Sequence, residues 1–562
     1  MYRDTEAQGV APDVGVELYP GTEIMGEDLV GGHLIHGHNN REGVVLVPQP
    51  STNLDDPLNW TPMWKWTVVV LQVTFILTSV ISALSVSPLT PVFEAQFHKD
   101  AEAIALLTSV LVIVTGYTNL LLVPIAEVFG RRFVLILSSL ISLGASFWHG
   151  AAQSYGSFMG ARILIAVGMS IGESLMPMVI GDVFFLHERG RYVGIYFFAL
   201  FNSMCLGPLI AGACAERFST WRNFYWIIGS LSAVGSLAII FLHPETKYIR
   251  EQPATTTASI TDTSPPSPPI EKTGSAEQLE SSQDTSSEAK ADGASNDNDN
   301  RMVMMDQHLG RGRPSRSQFR LIQATDRDAL SKISRHVVTP FRLLGFPIVL
   351  FGAWMLAGPA AGLLAVNYTQ AGVLMAPPYN FNSSQVGLSN LALVCGGSLG
   401  VLTAGPLSDW VAMYLTRRNR GIREPEMRLV SMVPFIILST IALVVVGLGY
   451  DRLWPWEAII IVGFGGIGLM TVSLSTIGIT YAVDCYKPVA GQIMVIATVV
   501  KNTYGFGMGY YVTGWVENAG YTPLFMCSLA TIIGPALFGI IFFSIFGKRL
   551  RKLTRHAKVH TY

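Results

Sequence analysis

Apolar runs of about 20 residues follow one another along this chain, and each is long enough to cross a bilayer as an α-helix. They fall near 65–90, 103–125, 133–152, 157–181, 192–214 and 223–243. After a long polar interval they resume near 343–370, 386–410, 429–450, 456–482, 489–513 and 521–546. Lipid offers the peptide groups no hydrogen-bond partner, so a crossing segment must close its own bonds as a helix. The predicted fold is therefore an all-α membrane protein with twelve transmembrane helices in two six-helix halves. Composition agrees: only 14% of the 562 residues are charged, and mean hydropathy is +0.40. A soluble chain of this length needs more charge than that to cover its surface.

The remaining composition excludes other classes. Basic and acidic residues balance, 38 against 39, which implies no nucleic-acid partner. The five cysteines (Cys205, Cys214, Cys395, Cys485 and Cys527) lack metal-ligand spacing. His33, His36 and His38 sit in a glycine-rich tail and are not read as a metal site, and no cofactor is expected. GFGGIG (Gly463–Gly468) imitates a nucleotide fingerprint but lies inside an apolar span, so it reads as helix packing. There is no Walker motif and no nucleophile–base arrangement, so neither an ATP-driven pump nor an enzyme is expected.

Five regions are predicted: a polar tail over 1–62 without an early apolar leader, a helix bundle over 63–243, a linker over 244–340, a second bundle over 341–547, and a basic tail over 548–562. Residues 251–300 hold ten acidic and two basic residues and no aromatics, a composition that cannot offset its ordering entropy. Beyond it the chain turns basic, and a short interfacial helix is expected over 320–338, with serines beside arginines open to phosphorylation. With the N-terminus inside, the inner loops and C-terminal tail carry sixteen lysines and arginines, against Lys99, Arg217, Arg222 and Arg452 outside. Both termini are therefore expected in the cytoplasm, with the chain in the plasma membrane. That topology puts Asn382 (NSS) in an outer loop as a glycosylation candidate, and Asn59 inside.

The halves also look like repeats. PIAEVFGRR (Pro124–Arg132) follows the second span; GPLSDW (Gly405–Trp410), with Arg417 and Arg418 beyond it, follows the eighth. Glu127 and Asp409 are 282 residues apart, about half the chain. GYTNLLLVPIAEVFGRR resembles the loop signature between spans two and three of the major facilitator superfamily, although Val123 stands where glycine is usual. The resemblance implies that Glu127, Gly130, Arg131 and Arg132 belong to a cytoplasmic charge network, and that substrate binds between the halves near the midplane. ARILIAVGMSIGESLMP resembles the fourth-span motif, with Arg162 and Gly168 in place, which implies a part for Arg162 in proton coupling. NSMCLGPLIAG resembles the fifth-span motif of antiporters through Gly207, Pro208 and Gly212, where a bend is implied; Ser203 and Ala211 depart from it. DVFFLHERGRYVGIY, PQPSTNLDDPLNW and PGTEIM resemble a fungal branch of drug:proton antiporters that includes a polyamine and organic-cation permease. Asp182, Glu188, Arg189, Arg191 and Asp409 are read with the cytoplasmic gate.

Charges inside the spans are expensive and mark function or pairing. Glu173 lies nine residues from Asp182, roughly 14 Å deep, where it can exchange a proton or attract a cation. Eleven residues separate it from Arg162, about 16 Å along a helix, so those two are not expected to touch. Arg162 itself lies near the outer end of its span, where it can alternatively snorkel to the interface. Lys501 is the other deep charge; pairing with a carboxylate, binding an anionic group and sensing the protonation state of Glu173 are its open roles. Spans 1, 4, 7 and 10 line the cavity in this fold, which nominates Gln72, Trp354, Asn367, Tyr368, Gln370 and Tyr481 beside Glu173. The expected protein is a monomeric, proton-coupled transporter of small organic cations or drug-like amphiphiles. A nutrient symporter, for a polyamine for instance, and a transport-incompetent sensor are the alternatives.

Overall fold

The computed structural model describes residues 23–24, 51, 53, 55–218, 220–248, 310–321, 329–419, 422–486 and 489–554. The expected disordered stretch 251–300, the histidines of the N-terminal tail and the tail beyond Thr554 lie outside them. The first half comprises α1 (Pro62–Ala83), a short α2 (Thr90–Phe97), α3 (Ala101–Phe129), α4 (Arg131–Ala151), α5 (Tyr155–Ser170), α6 (Gly172–Val183), α7 (Leu186–Arg217) and α8 (Arg222–Leu242). A linker helix, α9 (Ala329–Leu343), precedes α10 (Pro347–Leu374), α11 (Ser383–Arg418), α12 (Val433–Asp451), α13 (Gly465–Cys485), α14 (Ala490–Ala519) and α15 (Tyr521–Thr554). The described β-structure is a two-residue pair, β1 (Glu23–Ile24) antiparallel to β2 (Ile422–Arg423).

These helices make twelve crossings, because α1 with α2 and α5 with α6 each count once. Eleven are long and apolar enough to span a membrane by length and composition. The twelfth, α14, is 30 residues long but is diluted by Lys501, Asn502 and a run of glycines and tyrosines. Its surroundings explain how it tolerates them: α14 packs along α3 of the first half and α10 of the second, so much of it faces protein. Each crossing reverses direction, which gives the bundle two ends. We call the end where α1 begins and α15 finishes the near end, and the other the far end.

Two long seams join the halves, α3 against α14 and α7 against α11. Small residues set how close they come. A Cβ on Gly509 of α14 would fall 2.0 Å from Ser109 Oγ of α3, and one on Gly212 of α7 would fall 2.4 Å from the Ser383 carbonyl of α11. Gly207, one residue before Pro208, faces the backbone of Ile81 on α1, so the fifth-span motif packs α7 against both halves.

At the near end, Gly130 breaks the chain between α3 and α4 with φ of 107°, a conformation that disfavours a side chain. The break exposes the first amides of α4, and the buried carboxylate of Glu245 caps them. It accepts from the backbone N–H of Arg131 (2.9 Å), Arg132 (3.1 Å), Thr246 (3.0 Å) and Lys247 (2.9 Å). Arg132 donates in turn to the carbonyls of His243, Ile240 and Phe319. Phe319 belongs to segment 310–321, which also pairs with Asn59 and Thr61 through Gly312 and with Asp55 through Gln318. Linker, tail and first half are thus knitted together. The helix expected over 320–338 begins at Ala329 among the described residues; it packs on α3 and α14, one helix from each half.

Replacing Glu245 by alanine orphans several buried amides at once, each worth about 1–3 kcal/mol. Glu245→Ala should lower the melting temperature of the detergent-solubilised protein markedly more than Glu216→Ala at the far end. Equal melting curves would show that the cap is not structural.

Candidate functional site

The fourth crossing is interrupted at mid-depth. α5 ends at Ser170 and α6 starts at Gly172, which puts Glu173 in the first turn of the new helix. Four residues on, Pro177 has no N–H, so the Glu173 carbonyl loses its helical donor. Tyr196 of α7 supplies the replacement: its hydroxyl lies 2.7 Å from the Glu173 carbonyl and 3.1 Å from that of Gly172. The backbone of Glu173 is therefore fixed within the first half.

Its side chain reaches into the second half. Lys501 Nζ of α14 donates to Glu173 Oε1 at 2.7 Å, and the two side chains are 18% and 14% exposed. The open question of a partner for Lys501 is answered by this contact. Glu173 Oε2 is buried and meets no hydrogen-bond partner among the described residues, which leaves one oxygen for a proton or a ligand. Asn119 Nδ2 donates to Ser174 Oγ at 2.7 Å beside it. Arg162 has different neighbours: fully buried, it lies over the Phe158 ring, donates to the Ala83 carbonyl and faces Tyr225. It does not snorkel, and it leaves Glu173 to Lys501.

A second polar cluster ties the halves at the far end. Ser87 Oγ donates to the Asn367 carbonyl at 2.7 Å and accepts from Gln370 Nε2 at 2.7 Å, while Ser109 and Tyr368 hydroxyls meet at 3.2 Å. Asn367 and Tyr368 line a cavity of about 230 Å³ between the halves, whose one carboxylate is Glu517. The other wall candidates lie elsewhere. Gln72 turns into the first half and meets His243 Nε2 at 3.2 Å. Tyr481 is buried against Phe351 and Phe543 inside the second half. Trp354 donates to the Thr531 carbonyl at 2.9 Å and packs on Tyr504. Position within spans 1, 7 and 10 nominated these three; the rotation of each helix turned them inward on their own half.

The family model of the Major Facilitator Superfamily matches residues 73–510. The chain belongs to this superfamily. It is a multi-pass membrane transporter of small molecules and not an enzyme. An uncharacterized MFS-type transporter of Schizosaccharomyces pombe is 27% identical over 561 residues, covering 97% of this chain and 94% of its own. Protein HOL1 of Saccharomyces cerevisiae is 25% identical, covering 91% of each chain. A probable efflux pump, mfs2, of Aspergillus flavus is 24% identical over 74% of this chain and 86% of its own. Among solved structures, the Escherichia coli xylose transporter XylE in a partially occluded inward-open conformation superposes with a TM-score of 0.53 at 11% identity, over 86% of this chain and 99% of its own. That likeness is one of fold.

In this facilitator the near-end charges pair differently from their spacing. Arg131 Nε meets Asp182 at 3.1 Å, so the arginine of the second-to-third loop binds the end of span four. Glu127 instead meets His336 of α9 at 2.8 Å. The second half repeats the Arg131–Asp182 arrangement, but through Arg428, which bridges Asp409 (2.9 Å) and Asp484 (2.8 Å). Arg417 and Arg418, which the repeat nominated, are exposed, and Arg417 donates to Met413 Sδ on its own helix. Arg189 donates to the Gly181 and Phe184 carbonyls, Glu188 lies within electrostatic reach of Lys65, and Arg191 is exposed. Asn382 caps α11 through Gln385 and donates its amide to Glu216 at 3.1 Å, so a glycan on that nitrogen would displace a contact between the halves.

Sequence reasoning missed Tyr196, Glu245, His336, Arg428 and Asp484. The proline four residues after Glu173 was the available signal for a tyrosine-type donor; the others needed the three-dimensional pairing. His243 was missed too. Burial first, and the Arg132 charge second, lower its pKa from 6.5 to about 3, so it stays neutral and accepts from Gln72. A buried base that refuses a proton stabilises the fold fully above pH ~6.5, and that contribution falls as pH drops toward 3. The difference in stability between wild type and His243→Gln should therefore shrink by up to about 1.4 kcal/mol per pH unit on acidification below 6.5. Thermal unfolding from pH 7.5 to 4.5 measures it; parallel curves would refute it.

Proposed function

We propose that this facilitator is a proton-coupled secondary transporter of small organic cations or drug-like amphiphiles, working by alternating access with Glu173 as the protonation and substrate site. The observation that carries the reading is the 2.7 Å contact of Glu173 with Lys501 between helices of opposite halves, with Oε2 left open. A carboxylate in that position has three competitors for its charge: Lys501, a proton and a cationic ligand. Binding a proton or a cation removes the attraction that holds α6 to α14. The halves then separate along one face of the bundle and close along the other, and the far-end bonds of Ser87, Gln370 and Tyr368 open in the opposite phase.

Charge bias of the loops supports a cytoplasmic near end. The name of a relative as a probable efflux pump supports export. The test is flux in proteoliposomes with an imposed pH gradient and a panel of organic cations. Wild type should concentrate a cation against its gradient. Glu173→Gln should lose gradient-driven flux by about tenfold or more, equivalent to ~1.4 kcal/mol or above. Unchanged pH-driven flux in Glu173→Gln would remove the central part of the reading. Lys501→Met should retain binding but shift its pH dependence.

A further inference from the structure

α14 packs closely along α3 and α10 but meets α15 only sparsely. Between α14 and α15 lies a groove of about 480 Å³ whose lining includes neither Glu173 nor Lys501. Its rim residues Tyr510 and Tyr511 are 49% and 66% exposed, so it opens on the outer surface of the bundle, where the helices face lipid. Tyr504, Met508, Tyr511 and Trp515 recur at intervals of three and four residues and so form one stripe of α14. Behind them, Trp354 packs on Tyr504 with ring centroids 5.0 Å apart and donates to the carbonyl of Thr531, which makes the inner wall rigid. Glu102, in the first turn of α3, also lines the groove, and among the described residues no lysine or arginine does.

Tyrosine and tryptophan are common where a bundle meets the membrane interface. Here the stripe continues inward from Trp515 to Tyr504, roughly 16 Å along the helix, well below an interfacial belt. A slot for an acyl chain needs no carboxylate. Aromatic faces beside one carboxylate, with no competing basic side chain, are instead the chemistry that holds an organic cation. We propose that this groove is a second binding site, which takes an organic cation with an apolar body directly from the bilayer. The site stands whether or not Glu173 couples transport to protons.

The test uses the full chain in nanodiscs of uncharged phosphatidylcholine, with tetraphenylphosphonium as the cation and triphenylphosphine oxide as a neutral analogue, both read by equilibrium binding. Glu102→Gln and Tyr511→Leu should each weaken phosphonium binding about fivefold, whereas Tyr511→Phe, which keeps the ring, should leave it within about twofold. The same binding component should survive in Glu173→Gln. Two results overturn the proposal. One is phosphonium binding that ignores Glu102→Gln and Tyr511→Leu but disappears with Glu173→Gln, which would assign all cation binding to the inter-half site. The other is oxide binding as tight as phosphonium binding and equally blind to Glu102→Gln, which would make the groove a lipid slot. Monodisperse Glu102→Gln and Tyr511→Phe keep the comparison valid if Tyr511→Leu fails to fold.

Discussion

A lysine at mid-depth of a membrane bundle is tolerable only beside a carboxylate, and the pairing of Lys501 with Glu173 is what allows α14 to cross at all. Separating two such charges in a poorly hydrated interior leaves each uncompensated, a penalty of about 3–5 kcal/mol when one partner is removed. Because the partners sit on opposite halves, that penalty acts on the arrangement of the halves as well as on the stability of either one. Every other feature of the α6–α14 region follows from keeping this contact: the broken helix that presents Glu173, the proline that frees its carbonyl, and the tyrosine that satisfies it.

The seams show how two halves can be tied without being fused. Where α14 passes α3, Gly509 brings Ser109 and Tyr368 into the same space; where α7 passes α11, Gly212 brings the helix backbone to the carbonyl of Ser383. Close backbones give many small dispersion contacts and few directional bonds. Such surfaces can slide or tilt with little loss, whereas the hydrogen bonds of Ser87 with Asn367 and Gln370 are made or broken outright. In the proposed alternating-access cycle the directional contacts would be the ones that switch, and the small-residue seams the surfaces that slide.

Fold was legible because lipid removes alternatives. A run of apolar residues in a chain with so little charge can only be a crossing helix, and α14 was recognised although its composition alone falls short. Depth was also legible, since residue counting along a helix fixes it: Glu173 and Lys501 were both placed deep, and they meet. Rotation was not. Gln72, Trp354 and Tyr481 occupy spans that line the cavity in this fold, yet each faces its own half, because the apolar stripe that would have revealed its direction is absent from helices buried nearly all round. Pairing among near-end charges failed for a related reason. Asp409 and Arg428 are 19 residues apart and meet only because α11 and the start of span nine return to the same end of the bundle.

The two ties on Glu173 differ in kind, and the difference bears on the proposed cycle. Its backbone is held by Tyr196, a neutral donor in the same half, whose bond to a carbonyl does not depend on charge. Its carboxylate is held by Lys501 in the other half, through an ion pair whose attraction depends on the charge of both groups. In the proposed cycle, protonation would weaken the link between halves while leaving the backbone of Glu173 held by Tyr196. A site anchored only by its ion pair would lose its geometry each time it took up a proton. Pro177 is thus more than a kink: by removing one amide donor it makes room for the tyrosine that holds the backbone of Glu173.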